Sequence, residues 1–310
     1  MVGLKERDIN MKIAIIYFTG THNTRYLANR IKALFENAEE IKTIEVGKGV
    51  EIVDLNDFDL LFVGYPIYGF NSQPVLTNYL RKVKKLLKPG KKLDYIIFKN
   101  SGETYAMNNS SSRVIKRILS KKHFNFLSEY HFGMPYNIHF PFANNLIKQL
   151  LNYTDKQLEI LKYNYDNNIP HIIKSKLIYD VAGWFVSVQK LGGFVNSFFY
   201  RVDEDKCTHC NACVNICPLK NISVKKDGKI KFHHNCAMCM RCSFFCPKGA
   251  INIGMLQGWK VLNYYNLKQI EKDDTIKPDF ITDETTGFYK CYIKTFKDID
   301  KEYEEIQTKK

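Results

Sequence analysis

Two common nucleotide-binding loops are missing from this 310-residue sequence. It has no Gly-Lys-Ser/Thr triplet, which excludes a Walker loop, and no G-x-G-x-x-G run after its first apolar strand, which excludes the usual dinucleotide fingerprint. The first ten residues carry charges and no apolar run, so no signal peptide is expected. Long uncharged runs are also scarce. In the most apolar segment, 177–200, the longest run is ten residues, which is too short to span a membrane.

Cysteine, in contrast, occurs in an informative pattern. "CTHCNACVNICP" starts at Cys207 and "CAMCMRCSFFCP" starts at Cys236, and both read C-x2-C-x2-C-x3-C-P. This is the spacing of thiolates around a 4Fe-4S cluster, where each run gives three ligands to its own cluster and the fourth to its neighbour's. The repeat predicts two ligand sets, one of Cys207, Cys210, Cys213 and Cys246 and the other of Cys236, Cys239, Cys242 and Cys217.

Zinc and disulfide bonds are the less favoured interpretations of these thiols. Zinc sites usually draw on separated Cys pairs, and disulfides belong to oxidising compartments. The ninth cysteine, Cys291, is expected to be an ordinary thiol. Because oxygen damages such clusters, a cytoplasmic protein of an anaerobe is expected. Segment 201–258 resembles the two-cluster ferredoxins of anaerobic bacteria and archaea, and the resemblance implies a small α+β domain built around two [4Fe-4S] clusters.

The other informative region lies near the start of the chain. Residues 11–18, "MKIAIIYF", read as a buried strand, and a hydroxyl-rich loop then runs into helical periodicity. Free backbone N–H groups at a helix start, together with Thr hydroxyls, can hold a phosphate. The loop "TGTHNT" resembles the flavodoxin phosphate loop, Ser/Thr-x-Thr-Gly-Asn-Thr. Four residues match and a histidine replaces the glycine, so the resemblance implies FMN contacts from Thr19, Thr21, His22, Asn23 and Thr24.

Two further strands end in loops that suit the same ligand. "DLLFVGYPIYGF" (59–70) and "LDYIIFKNSGETYAM" (93–107) are apolar runs followed by glycine-containing loops. Ligands of doubly wound sheets bind beyond the carboxyl ends of the strands, so the three loops are expected to converge. Tyr68 is the preferred ring to stack on the flavin, with Tyr65 and Tyr105 as alternatives. The predicted FMN contacts in these loops are Pro66, Tyr68, Gly69, Asn100, Ser101 and Gly102.

These patterns predict four regions along the chain. Residues 11–150 are expected to form an α/β domain with a doubly wound, parallel, flavodoxin-like sheet, whose last strand lies within 126–137. Residues 151–200 are expected to be a helical connector, with a helix capped by Thr154 and an apolar part that packs between domains. Contact of 177–200 with a membrane surface is the less favoured alternative. The ferredoxin-like domain spans 201–258, and the tail, 259–310, is expected to pack on a domain.

The order of these regions resembles the flavodoxin-ferredoxin fusion proteins of anaerobic bacteria and archaea. The resemblance implies an electron-transfer protein that passes electrons between FMN and two [4Fe-4S] clusters, to or from a redox protein. Formal net charge is +14, and residues 77–125 hold 13 Lys or Arg against two acids, Asp94 and Glu103. This segment is either a docking face for an acidic partner, such as a ferredoxin-like protein, a reductase or a dehydrogenase, or an ordinary solvated helix surface. No recognition motif points to nucleic acid.

An enzyme that uses the flavin directly is the main alternative. It would reduce a small organic substrate or exchange electrons with NAD(P)H, with His22, Glu103 or Tyr105 as candidate proton donors. No residue pattern assigns a catalytic group, so carrier and enzyme both stay open. The aromatic side chains of the connector are expected to fill the seam between flavin and cluster: Trp184, Phe194, Phe198 and Phe199.

Overall fold

A computed structural model describes residues 10–119, 123–186, 189–261 and 265–309. The first half of the chain forms a five-stranded sheet in the order β2-β1-β3-β4-β5, and every neighbouring pair is parallel. This is the strand order of flavodoxin-like doubly wound folds, so the predicted fold class is confirmed. The strands are β1 (Lys12–Tyr17), β2 (Glu40–Glu45), β3 (Leu60–Pro66), β4 (Leu93–Ser101) and β5 (Phe124–Gly133).

Helices cover both faces of this sheet. They are α1 (Asn23–Leu34), α2 (Pro74–Leu86), α3 (Arg113–Ile118) and α4 (Asn144–Asp166). One apolar cluster joins β1 side chains such as Ile13 and Ile15 to α1 and α4, and the other joins Ala14 and Ile16 to α2 and α3. Strands buried on both faces must be apolar at nearly every position, which explains the continuous apolar run in β1.

Helix α4 corrects the prediction for the start of the connector. The helix begins at Asn144, not after Thr154, which is buried in its middle. Ile147, Leu150 and Leu161 are buried together with Thr154, so the apolar stripe of the helix runs through the predicted cap. The domain boundary drawn between residues 150 and 151 therefore falls inside a helix that packs on the sheet.

The C-terminal tail packs on the first domain, as predicted. It contains α9 (Leu267–Lys272) and α10 (Cys291–Gln307), and both helices contact α4. The ring of Phe296 stacks on Tyr153 with centroids 3.7 Å apart. The buried hydroxyl of Tyr292 donates a hydrogen bond to the carbonyl of Gly102. The tail thus supports the loop that follows β4.

Removal of one aromatic ring from α10 should measure how much the tail stabilises the protein. Phe296 is buried and stacked, so we expect Phe296→Ala to lower the free energy of unfolding by about 3 to 5 kcal/mol. Phe199, which is about half exposed, is the matched control, and Phe199→Ala should cost less than about 1 kcal/mol. Denaturant unfolding measures the free energy of unfolding of both variants. A loss in Phe296→Ala as small as that in Phe199→Ala would show that packing of the tail contributes little stability.

The cysteine-rich region is a small α+β domain in which the duplication is visible in the backbone. His209 and Asn211 in the first run, and Met238 and Met240 in the second, all have positive φ between 50° and 58°. Each pair of equivalent residues is 29 positions apart, as are Cys207 and Cys236. The elements of this region are β6 (Tyr200–Val202), α7 (Ala212–Ile216), β7 (Ile222–Val224), β8 (Ile230–Phe232), α8 (Arg241–Phe244) and β9 (Ile251–Ile253), with β6 paired to β9 and β7 to β8.

The connector consists of α5 (Leu177–Val186) and α6 (Gln189–Ser197). Within the described ranges no helix is long and apolar enough to cross a membrane. Phe194, Phe198 and Phe199 are about half exposed, so they do not fill the predicted seam, and the side chain of Trp184 lies outside the described part. The connector instead contacts the cysteine-rich region at Gly193, where an added Cβ would stand 2.3 Å from the carbonyl oxygen of Cys236.

Candidate functional site

A cavity of about 1210 Å³ lies between the sheet domain and the cysteine-rich domain. The loops that follow all five parallel strands contribute to its wall. This is the edge of the sheet where doubly wound folds bind ligands. Of the predicted FMN contacts, those in the cavity wall are Thr19, Thr21, Asn23, Thr24, Pro66, Tyr68, Gly69, Asn100, Ser101 and Gly102.

The loop after β1 has a buried hydroxyl without a partner. Thr19 is buried, lines the cavity, and its Oγ1 makes no hydrogen bond. Two other side chains tie the loop to its neighbours. Thr24 Oγ1 donates to Asn100 Oδ1 at 2.7 Å, and Asn23 Nδ2 donates to the carbonyl of Pro135 at 2.8 Å. Thr19 therefore supplies a hydroxyl of this loop that a bound anion could use.

His22 occupies the glycine position of the loop but does not face the cavity. Its φ is 73°, a left-handed conformation that histidine tolerates better than most side chains. The imidazole packs on Phe245 with ring centroids 4.5 Å apart, and the residue is not part of the cavity wall. Burial, with help from Arg25 and Arg241, lowers the pKa of His22 to about 4. The ring is neutral at pH 7, which makes it a poor proton donor.

Only one of the three candidate tyrosines lines the cavity. Tyr68 forms part of the wall, and its hydroxyl accepts a hydrogen bond from Asn137 Nδ2 at 3.1 Å. Tyr65 is fully buried against Ser111, because alternation along β3 turns it into the core. Tyr105 is 42% exposed and packs edge-on against Phe288. Neither Tyr65 nor Tyr105 belongs to the cavity wall.

Some of the cavity wall was not predicted from the sequence. Ser72 is buried after β3, and its Oγ has no hydrogen-bond partner. Tyr136 follows β5, packs over Gly102, and donates a hydrogen bond to Glu103. Burial raises the pKa of that Glu103 carboxyl. A signal was available, because Tyr136, Asn137 and His139 stand shortly beyond the carboxyl end of the last strand.

The first cysteine set surrounds a small pocket of its own. Cys207, Cys210, Cys213 and Cys246 all line it, so Cys246 of the second run stands beside three cysteines of the first. Burial raises the pKa of Cys213, and the nearby sulfurs of Cys246 and Cys207 add to that shift. Within the described residues, no three His, Cys, Asp or Glu side chains are arranged to hold a metal ion as they stand.

The second cysteine set lies against the sheet domain. Cys236 lines the large cavity, and buried Cys239 packs with the apolar cluster that contains α2 and α3. Burial raises the pKa of Cys239 to about 12, and the neighbouring sulfurs of Cys236 and Cys217 contribute. Burial also raises the pKa of Cys242. Such crowded thiols favour the ionised form only when cations stand between them.

Comparisons with known proteins assign the cysteine-rich segment. Residues 200–223 match the family model of the 4Fe-4S binding domain. A ferredoxin of Methanothermococcus thermolithotrophicus is 34% identical over 55 residues, which are 17% of this chain and 92% of that protein. The chain belongs to the ferredoxin family through this segment. The ferredoxin domain therefore follows a domain with the flavodoxin-like strand order.

Solved structures resemble the first domain at low sequence identity. A flavodoxin from the domain Archaea is 13% identical, with a TM-score of 0.36, and the match covers 51% of this chain and 96% of that one. Fusobacterium nucleatum flavodoxin bound to flavin mononucleotide is 23% identical, with a TM-score of 0.30, and the match covers 37% and 68%. Flavodoxin 1 from Bacillus cereus is 14% identical, with a TM-score of 0.32, and the match covers 46% and 95%.

Proposed function

We propose that this protein is an electron-transfer iron-sulfur flavoprotein with FMN in the large cavity and two [4Fe-4S] clusters in the ferredoxin domain. One observation carries the proposal: Cys236, from the second cysteine set, lines the same cavity as Thr19. A flavin held by the phosphate loop would therefore share its cavity with a cluster ligand. A flavin and a cluster that border one cavity would be close enough to exchange electrons within the chain.

The residues of the cavity suit a flavin phosphate and ring. Thr19 Oγ1 and Ser72 Oγ are buried without partners, and buried polar groups normally have one. Tyr68 gives the wall an aromatic side chain. When bound, FMN exchanges electrons in pairs or singly, whereas each cluster carries one. The protein would then couple two-electron reactions to one-electron transfer. We expect it to act in the cytoplasm.

A flavin-dependent reductase is the second candidate function. Ordinary ligand cavities measure about 300 to 1,000 Å³, and this one, at about 1210 Å³, is larger. The additional volume would leave space for a small substrate beside the flavin. Steady oxidation of NAD(P)H, or reduction of a small quinone, by the purified protein alone would support this candidate over the carrier.

Cofactor analysis after anaerobic purification tests the proposal. We expect about eight irons and eight sulfides per chain, with one FMN released on heating. Eight irons without flavin, even after reconstitution with FMN, would leave a ferredoxin on an empty scaffold and would overturn the flavoprotein. About four irons per chain would mean that the protein holds one cluster and not two.

Salt should slow electron exchange with an acidic partner. The exposed cations on α2 and the turn after it include Arg81, Lys85 and Lys88, and Lys82 reaches the cavity wall. Lys99 does not belong to this face, because it pairs with Glu129 in the core. We expect the second-order rate with an acidic ferredoxin to fall about tenfold between low and physiological ionic strength.

Charge reversal on α2 provides the matched test of this docking face. The double variant Lys82→Glu, Lys85→Glu should lower the low-salt rate by a similar factor. Lys294→Glu is the control, because Lys294 is an exposed cation on α10. A rate that is independent of salt, or an equal loss in the control, would count against this docking surface.

A further inference from the structure

Arg241 of the ferredoxin domain reaches into the phosphate loop of the other domain. It directly precedes the cluster ligand Cys242 and is only 5% exposed. Its Nε donates to the carbonyl of Gly20 at 2.7 Å, and its Nη2 donates to the carbonyl of Thr19. The same guanidinium donates to Glu45 Oε1 at 2.8 Å. One buried cation therefore holds two consecutive carbonyls of the loop.

These two bonds fix the direction of two backbone donors. In a planar trans peptide the N–H points opposite to the C=O, and the chain has no cis peptide among its described residues. The N–H groups of Gly20 and Thr21 therefore point away from Arg241. Both residues line the cavity, and the backbone hydrogen bonds of the described residues include none from either amide. The amides are thus oriented as free donors.

The charges behind the loop also favour an anion. Glu45 binds Arg241 through one oxygen and Arg25 through the other, with the Arg25 contact at 2.6 Å. Burial alone would raise the pKa of Glu45, but Arg241 and Arg25 hold it below its ordinary value. The carboxylate therefore stays ionised, and the three groups carry a net charge of 2 − 1 = +1. An anion in the loop feels that excess.

We propose that Arg241 is a positioning residue through which the ferredoxin domain shapes the phosphate subsite of the flavin cavity. The inference rests on the proposed function, because it takes FMN as the ligand. Arg241 should strengthen binding of the FMN phosphate and should have little effect on binding of the ring. Arg241 stands between Cys239 and Cys242 in the sequence, so the subsite adjoins the ligands of the second cluster.

Two flavins distinguish this role from general support of the fold. FMN and riboflavin share the ring, but only FMN carries the phosphate. Flavin-free protein with intact clusters is titrated with each flavin, and quenching of flavin fluorescence gives the Kd. We expect Arg241→Gln to weaken FMN about 30-fold and riboflavin less than about 3-fold, since charge-assisted hydrogen bonds organise the phosphate loop. Arg241→Lys keeps the charge without the fork and should lie between.

Arg30→Gln is the matched control. Arg30 lies on α1 and pairs with Asp155 and Glu271, away from the cavity wall, so both Kd values should stay within about 2-fold of wild type. Equal weakening of FMN and riboflavin by both Arg241 variants, or no weakening of either, would overturn the inference alone. Wild-type protein that binds neither flavin would overturn the proposed function and the inference with it.

Discussion

Cys239→Ala should lower the iron content from about eight to about four per chain, because a [4Fe-4S] cluster needs all four thiolates. Cys239 is the buried member of the second set and packs against the sheet domain. Its loss should also stop the transfer of electrons from flavin to cluster, since the second set lies on the cavity. Iron analysis and rapid reduction kinetics measure the two effects.

Variants of two other cysteines make this prediction specific. Cys210→Ala should remove a similar amount of iron, but Cys210 belongs to the first set, whose pocket is separate from the large cavity. Electron transfer from flavin to the remaining cluster should therefore survive. Cys291→Ala should change neither quantity, because Cys291 lies in the tail helix α10. Transfer that is lost in Cys210→Ala and kept in Cys239→Ala would reverse the assigned order of the clusters.

Gly20→Val should weaken flavin binding strongly. An added Cβ would stand 2.1 Å from the hydroxyl of Tyr68 and 2.6 Å from the carbonyl oxygen of Cys239. Tyr68 could yield only by losing its bond to Asn137 and its place in the cavity wall, and the backbone carbonyl has less freedom to move. Overpacking of this kind typically costs about 1 to 3 kcal/mol, so the Kd for FMN should rise about 5- to 150-fold.

The matched control for this change is another glycine with open space around it. An added Cβ at Gly258 meets no atom within 4 Å, so Gly258→Val should leave the FMN titration unchanged. Thermal unfolding of both variants, followed by circular dichroism, reports any loss of packing between the domains. Wild-type affinity in Gly20→Val would show that the domains do not meet at this loop when flavin is bound.

Local patterns in the sequence predicted the elements that depend on local chemistry. Strands β1, β3 and β4 follow from apolar runs, whereas β2, "EIKTIE", has no such run and was not predicted. The proposed cysteine sets rest on spacing alone. The loop "TGTHNT" correctly marked the start of α1, and ten predicted cofactor contacts do line the cavity. These features needed no knowledge of which distant segments meet.

What the sequence could not predict depends on contacts between distant segments. The start of α4 was misplaced because Thr154 looks like a cap, while its burial depends on packing against the sheet. His22 was expected at the flavin, yet the ferredoxin domain supplies Phe245 for its ring to pack on. Arg241 looks like one more cation between two cysteines. Its role becomes visible only when the two domains are brought together.

A flavin in the cavity beside Cys236 should pass electrons to a cluster of the same chain. Stopped-flow reduction of the flavin under anaerobic conditions, followed at flavin and cluster wavelengths over a tenfold range of protein concentration, tests it most directly. We expect the clusters to bleach after the flavin with a first-order rate constant that does not change with concentration. A rate constant that rises in proportion to protein concentration would mean that electrons pass between molecules, and it would contradict a flavin placed in the cavity beside Cys236.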